Sequence, residues 1–237
     1  MKSHKPEDRK QKYKIFIVDD HPIVRQGLAQ LINQEPDFTV CGEASDIPSA
    51  VKALQMHNPD VVIVDISLGQ SSGIRLIEDI MPTNPAYQIL VLSMHDESLY
   101  AERCFKAGAR GYIMKQEPPE KVILAIKKLL NGELYISDQL SKKFLNRFVT
   151  KQTDIETSPL ESLSNRELEV FQLIGQGLRT RKIAEQLNLS VKTIETYIDH
   201  IKKKMNFDNS HVLILHAVQW VMSEGSPHEQ KNRSQEK

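Results

Sequence analysis

Five short apolar runs, separated by amphipathic stretches, set the pattern of the first half of the chain. They lie at 14–18, 38–42, 60–66, 88–93 and 110–115. Each is too short for an ordinary helix and most are rich in β-branched residues, which predicts strands buried on both faces. Between them apolar residues recur at helical spacing. Ile23, Val24, Leu28, Leu31 and Ile32 follow Pro22, and Ala50, Val51, Leu54 and Met56 follow a capping Asp46. Ile74, Leu76, Ile77 and Ile80 follow a Gly- and Ser-rich loop at 69–73. A fourth helix is expected at 96–107, closing at Gly108. A fifth lies between Pro118-Pro119 and Gly132, with Val122, Ile123, Ile126, Leu129 and Leu130 on its apolar face. Strand and helix alternate from 14 to 131. That predicts an α/β domain with a five-stranded parallel, doubly wound, flavodoxin-like sheet.

After 132 the pattern changes. A helix is expected at 139–148, and 150–159 is polar and ends in proline, so 132–159 reads as a partly helical linker. From Leu163 onward no strand period remains. Ser164 and Glu167 have the spacing of a capping box, and Leu168, Val170, Phe171, Leu173 and Ile174 supply an apolar face. A short helix at 179–186, a turn at Asn188-Leu189 and a longer helix capped by Ser190 have the order of a helix-turn-helix. In the longer helix Ile194, Ile198 and Ile201 are expected in the core. A final helix carries Val212, Leu213, Leu215, Val218 and Trp220. This defines an all-α domain at 160–222, with disordered tails expected at 1–13 and 223–237.

Composition narrows the field. Of 237 residues 40% are hydrophobic and 26% charged, an ordinary soluble balance, and the net charge is zero. No global field favours nucleic acid or membrane, so any basic surface must be local. One such stretch exists: 179–204 holds seven Lys or Arg against three acids, an excess of four. Cys41 and Cys104 lack metal spacing and suit buried thiols in a reducing cytosol. No run approaches the roughly 20 apolar residues of a membrane span, and the charged N-terminus is not a secretory signal. A cytoplasmic protein without a membrane partner is expected.

In a parallel sheet all strand carboxyl ends share one edge, where ligands bind. That edge receives Asp19, Asp20, Asp65, Ser93 and Lys115. Alone, each residue suits a turn, a cap or a surface charge; the five types together are not what turn chemistry produces. Three carboxylates on one rim repel, and a divalent cation relieves them. Oxygen donors without histidine or thiolate suit Mg²⁺. Asp65 is then the candidate nucleophile for a phosphoryl group. Lys115 would offset charge on the transferred group, and the Ser93 hydroxyl would donate to the new phosphate.

These residues carry a resemblance. Val18-Asp19-Asp20-His21-Pro22, Val64-Asp65-Ile66, Leu92-Ser93-Met94-His95-Asp96 and the stretch from Ala107-Gly108 through Tyr112-Ile113-Met114-Lys115 resemble the receiver domain of bacterial two-component response regulators. The resemblance implies phosphorylation of Asp65 by a sensor histidine kinase. It implies Mg²⁺ bound by Asp20 and Asp65 directly, by Asp19 through water, and by the backbone carbonyl of Ser67. It also implies a switch pair, Ser93 and Tyr112, whose hydroxyl moves toward phosphate while the ring turns inward. One departure is Gly69, where the family usually has proline, which predicts a more mobile loop.

A second resemblance covers about 160–222. Leu163-Ser164-Asn165-Arg166-Glu167-Leu168-Glu169-Val170, Ile183-Ala184-Glu185-Gln186-Leu187 and Lys192-Thr193-Ile194-Glu195-Thr196-Tyr197 resemble the LuxR-type, or NarL/FixJ-type, DNA-binding domain. It implies a recognition helix from Val191 to Met205 in the major groove. Candidate contacts to double-stranded DNA are Arg179, Arg181, Lys182, Lys192, Thr193, Glu195, Thr196, Tyr197, Asp199, Lys202 and Lys203. The expectation is a phosphorylation-controlled transcription factor, a homodimer when phosphorylated or DNA-bound. It is not an enzyme beyond self-catalysed aspartyl phosphorylation and dephosphorylation. Two rivals are a Mg²⁺-dependent aspartyl-phosphate phosphohydrolase and a signalling adaptor with a vestigial DNA domain. The first would want a second acid where Ser67 stands; the second fits poorly with a basic recognition segment.

Overall fold

The computed structural model describes residues 12–69, 71–150 and 159–224. The tails expected to be disordered fall largely outside these residues, as do Gln70 and most of the polar linker. Among these described residues, those up to Met94 together with Cys104–Ser137 form one compact unit, and His95–Arg103 with those from Asp138 onward form the other.

The first unit is built on strands β1 (Tyr13–Val18), β2 (Phe38–Ala44), β3 (Val61–Val64), β4 (Gln88–Ser93) and β5 (Gly111–Met114). They pair in parallel in the order β2-β1-β3-β4-β5. The doubly wound sheet expected from the alternation is therefore present. Its strands are continuous apolar runs because both faces are covered. One face sets Ile15, Ile17, Val61, Ile63, Leu90, Leu92 and Ile113 against helices α1 (Pro22–Gln34) and α5 (Glu120–Leu130). The alternate residues Phe16, Val18, Val62, Val64, Ile89, Val91 and Tyr112 are equally buried. On that side lies helix α2 (Ile47–His57), whose His57 ring sits 5.9 Å from Phe16. Asp46 caps α2 by accepting from the Ser49 N–H at 2.8 Å. The outer edge of β5 is not open: Tyr112 N–H donates to Tyr135 O at 3.0 Å, and Tyr135 N–H to Arg110 O at 3.0 Å.

Two details differ from the sequence pattern. β1 begins at Tyr13, whose N–H donates to Asp37 O at 2.8 Å, and β2 runs on to Ala44. The Gly- and Ser-rich stretch after Asp65 is not simply a loop. Ser67–Leu68 pairs antiparallel with Ser71–Ser72, and Ser72 then caps helix α3 (Gly73–Ile80). Four-residue ladders carry no periodic signal, so tertiary contacts decide them. Helix α4 (Glu97–Ala107) starts where Asp96 accepts from the Ser98 N–H at 2.7 Å, and it is divided between the two units.

In the second unit helix α6 (Asp138–Thr150) precedes α7 (Asn165–Gly175), α8 (Thr180–Leu187), α9 (Val191–Met205) and α10 (Ser210–Glu224). The capping box is formed. Glu167 N–H donates to Ser164 Oγ at 3.3 Å, and Ser164 N–H donates to Glu167 Oε2 at 2.6 Å. Leu168, Phe171, Ile183, Leu187, Ile194, Ile201, Leu213 and Ala217 fill the core. Gly175 is required there, because a Cβ on it would stand 2.4 Å from Ala217 O in α10. One expected core position, Ile198, is corrected, and the apolar residues of α10 are not all core. Ile198 and Trp220 are only half-buried and Leu215 is exposed, because the apolar seam of each helix is narrower than its apolar content. Trp220 still packs its ring 5.7 Å from Phe171.

Candidate functional site

Strand ends bring the acids together. Asp19 follows β1 and Asp65 follows β3, where its N–H donates to Val18 O at 2.8 Å. Both carboxylates are almost wholly buried, at 2% exposure each, while Asp20 is partly open at 28%. Lys115 follows β5, its N–H donating to Ser93 O at 2.7 Å. Its ammonium lies 2.7 Å from Asp19 Oδ2 and 2.7 Å from Asp65 Oδ2. Asp65 Oδ1 accepts from the Ser67 N–H at 3.2 Å. Three of the five strand-end residues expected on one rim, Asp19, Asp65 and Lys115, thus meet through charges at contact distance, and Asp20 stands beside them. The fifth, Ser93, is fully buried at the end of β4, paired with Met114 in β5. Tyr112, on β5, is buried, so its ring already lies inward.

Burial pushes the Asp65 carboxyl above the usual carboxylate range, and the Lys115 ammonium offsets this only in part. Burial works to lower the Lys115 ammonium, but hydrogen bonds to Asp19 and Asp65 outweigh it and hold the amine above its ordinary value. The site is therefore short of positive charge: three carboxylates face one ammonium. Asp20 Oδ1 is buried without a hydrogen-bond donor. His21 Nδ1 stands 2.7 Å from it, but not in line for a hydrogen bond. A buried, orphaned carboxylate oxygen beside two further carboxylates fits a hard divalent cation. Single ligand atoms of Asp19, Asp20, His21 and Asp65 all lie within 4.8 Å of one another.

The sequence did not single out His21, which the structure places beside these acids. Its Nδ1 is 3.2 Å from Asp19 Oδ1 and 4.0 Å from Asp65 Oδ2. It stands at the N-cap of α1, and Asp19 Oδ1 accepts its backbone N–H at 2.8 Å. Only its place directly after the two acids could have signalled this. Gly73 was also missed: a Cβ there would stand 1.9 Å from Asp65 O, so no other residue lets α3 begin so close to the site.

In the helical unit Asn188 takes the left-handed conformation (φ 55°, ψ 45°) and turns the chain from α8 to α9. Ser190 caps α9, accepting from the Thr193 N–H at 3.0 Å. The Thr193 hydroxyl is itself 2.7 Å from Ser190 Oγ, and the Thr196 hydroxyl donates to Lys192 O at 3.0 Å. Lys192, Glu195, Thr196, Asp199 and Lys203 are exposed on α9, and Tyr197 is half-buried. Several of the basic residues are occupied. Lys182 is 2.8 Å and Arg181 3.6 Å from Glu185, and Lys202 is 2.9 Å from Asp199. Arg179, Lys192 and Lys203 carry no ion pair among the described residues.

An acid cluster at the strand ends of a parallel α/β sheet, in one chain with a capped helix-turn-helix, defines a response regulator with a DNA-binding output. Residues 15–127 match the response regulator receiver domain family, and residues 161–217 match the bacterial regulatory proteins of the luxR family. The oxygen regulatory protein NreC of Staphylococcus epidermidis is 38% identical over 210 residues, 86% of this chain and 96% of the relative. NreC of Staphylococcus haemolyticus is 36% identical over 209 residues, with the same two coverages. RcsB of Salmonella enterica serovar Typhimurium, bound to promoter P1flhDC in the presence of the phosphomimetic BeF3⁻, superposes with a TM-score of 0.67 at 26% identity. That match covers 88% of this chain and all of RcsB. The chain belongs to the LuxR-type, or NarL, family of two-component response regulators, which are transcription regulators rather than conventional enzymes. Among the described residues no helix is long and apolar enough to cross a membrane.

Proposed function

We propose that Asp65 accepts a phosphoryl group from a sensor histidine kinase, and that this controls sequence-specific binding of double-stranded DNA by α9. The observation that carries this reading is the Lys115 ammonium, 2.7 Å from the buried carboxylates of both Asp19 and Asp65. A cation held there can neutralise an incoming phosphoryl oxygen without reorganising. The Asp65 carboxylate attacks phosphorus; the bond from phosphorus to the donor imidazole nitrogen breaks, and its electron pair leaves with the imidazole. Asp20, Asp65 and the Ser67 carbonyl, with Asp19 through water, would hold Mg²⁺, which would supply charge compensation for the transferred group. The Ser93 hydroxyl donates to the acyl phosphate, and Tyr112 packs inward behind it. The RcsB complex with promoter DNA and a phosphomimetic supports the link between the two ends of the chain.

On DNA, Arg179, Lys192 and Lys203 hold phosphates most effectively, because they need not break an ion pair first. Arg181, Lys182 and Lys202 contribute after release from Glu185 and Asp199. Thr193, Glu195, Thr196, Tyr197 and Asp199 lie on or beside the groove face. A homodimer places two α9 helices about one turn of DNA apart. Incubation with a labelled small-molecule phosphodonor and Mg²⁺ tests the acceptor. Wild-type protein takes up one acid-stable, hydroxylamine-labile label and Asp65→Asn takes up none; labelling of Asp65→Asn would overturn the assignment.

A further inference from the structure

The second oxygen of Asp20 has a partner that sequence alone did not suggest. Gly69 N–H donates to Asp20 Oδ2 at 2.8 Å, across 49 residues of chain. Three features fix that donor in place. Leu68, the residue before, is 2% exposed and anchors the short antiparallel ladder formed by Ser67–Leu68 and Ser71–Ser72. Gly73 N–H donates to Ile66 O at 2.6 Å and closes the other end against Asp65. Gly69 itself sits at φ +57°, the left-handed region, so the chain turns away directly after that N–H.

The two Asp20 oxygens are thus unequal. Oδ2 is held by a backbone donor, whereas Oδ1 is buried with no donor and faces the cluster. We infer that Gly69 is a positioning residue for the cation site: its N–H pins Asp20 Oδ2, so that Oδ1 is presented to a divalent cation with its lone pairs free. The inference rests on the reading of Asp19, Asp20 and Asp65 as cation ligands. Hydrogen bonds to the non-coordinating oxygen of a ligating carboxylate fix its rotamer and sharpen its affinity, and losing such a partner costs about 10–100-fold in metal binding. Proline cannot play this part. It has no N–H, and its ring holds φ near −65°. Asparagine can, since it keeps the N–H and tolerates the left-handed region, as Asn58, Asn188 and Asn206 do in this chain at φ 43° to 55°. A Cβ at position 69 meets nothing nearer than Asp20 Oδ2 at 3.9 Å, so the asparagine side chain has room.

The test is calorimetric titration of the full chain with MgCl₂, with the Gly69 amide followed in parallel by ¹⁵N–¹H correlation spectroscopy. Wild-type protein binds Mg²⁺ and its Gly69 amide shifts in step with occupancy. Gly69→Pro weakens Mg²⁺ binding about 10–100-fold. Gly69→Asn stays within about threefold of wild type, because donor and backbone region are both kept. If Gly69→Pro and Gly69→Asn fall equally, the loss comes from loop shape and the inference is overturned; it is equally overturned if Gly69→Pro binds like wild type. If wild-type protein binds no Mg²⁺, or Asp20→Asn binds as tightly as wild type, the ligand assignment fails, a result separable from failure of the Gly69 role.

Discussion

The chemistry of this chain depends on single residues whose neighbours are far away in sequence. Lys115 is the only ammonium at contact distance from Asp19 and Asp65 among the described residues. Removing one partner of a buried ion pair leaves the other uncompensated and costs about 3–5 kcal/mol. Lys115→Met should therefore lower the stability of the α/β unit by about that amount in metal-free buffer. Added Mg²⁺ should restore part of it, as read by urea denaturation; a variant as stable as wild type without Mg²⁺ would contradict the charge balance described. Gly73→Ala should also be damaging, for a steric reason. Its Cβ would meet backbone at 1.9 Å, and overpacking of this kind costs about 1–3 kcal/mol or more, measurable as a lower thermal midpoint. Asp19, Asp20, Asp65, Ser93 and Lys115 were legible in the sequence because each ends an apolar run, and a parallel sheet gathers such ends. His21 and Gly73 were not, because an imidazole aimed at a carboxylate and a glycine under a helix leave no periodic trace.

Elements carry their own signals when the stabilising contact is local. The capping box of α7 was readable because Ser164 and Glu167 are three residues apart. What the sequence did not reveal is that Lys204, at the end of α9, lies 2.6 Å from Glu167. Burial tends to raise the Glu167 carboxyl, but hydrogen bonds from Lys204 and Ser164 outweigh it and hold it below the ordinary value. A lowered folded value means stability that is complete above the unfolded glutamate value, about 4.3, and is lost as pH falls through the lower folded one. Glu167→Gln should remove that acid-side loss from the helical unit, seen as a flatter melting temperature between about pH 5 and pH 3. An unchanged pH profile would show that Glu167 is not the group responsible. The short ladder at 67–72 lies at the other extreme. Two residues per strand have no period to read, and Leu68 burial and the Gly73 contact decide the outcome.

For the molecule as a whole, zero net charge conceals a divided surface. Acids gather at the sheet edge and bases on α8 and α9, so DNA affinity should come from a few unpaired cations rather than from an overall field. Lys192→Ala and Lys203→Ala should each weaken DNA binding across all sequences and reduce the slope of log affinity against log salt by about one. Lys182→Ala should change that slope less, because Glu185 already holds its ammonium at 2.8 Å. Salt-titrated mobility shifts would distinguish these outcomes, and equal slopes for all three variants would refute the ranking. The division into an α/β half and a helical half was plain in the sequence, where the apolar period changes from short runs to helical spacing after residue 132. Which cations are already paired was not, because that depends on the side-chain rotamers of individual acids.

Lys115 also has a mechanical meaning. In the order β2-β1-β3-β4-β5 it extends from the edge strand, passes β4, and fastens to acids at the ends of β3 and β1. The ammonium is a tether that skips a strand and links the rim of the sheet to its centre. Any group on Asp65 that took up this ammonium would loosen that tether. The amides of Gly111–Met114, whose outer neighbour among the described residues is the segment around Tyr135, are where slowed or quickened hydrogen exchange would register it first.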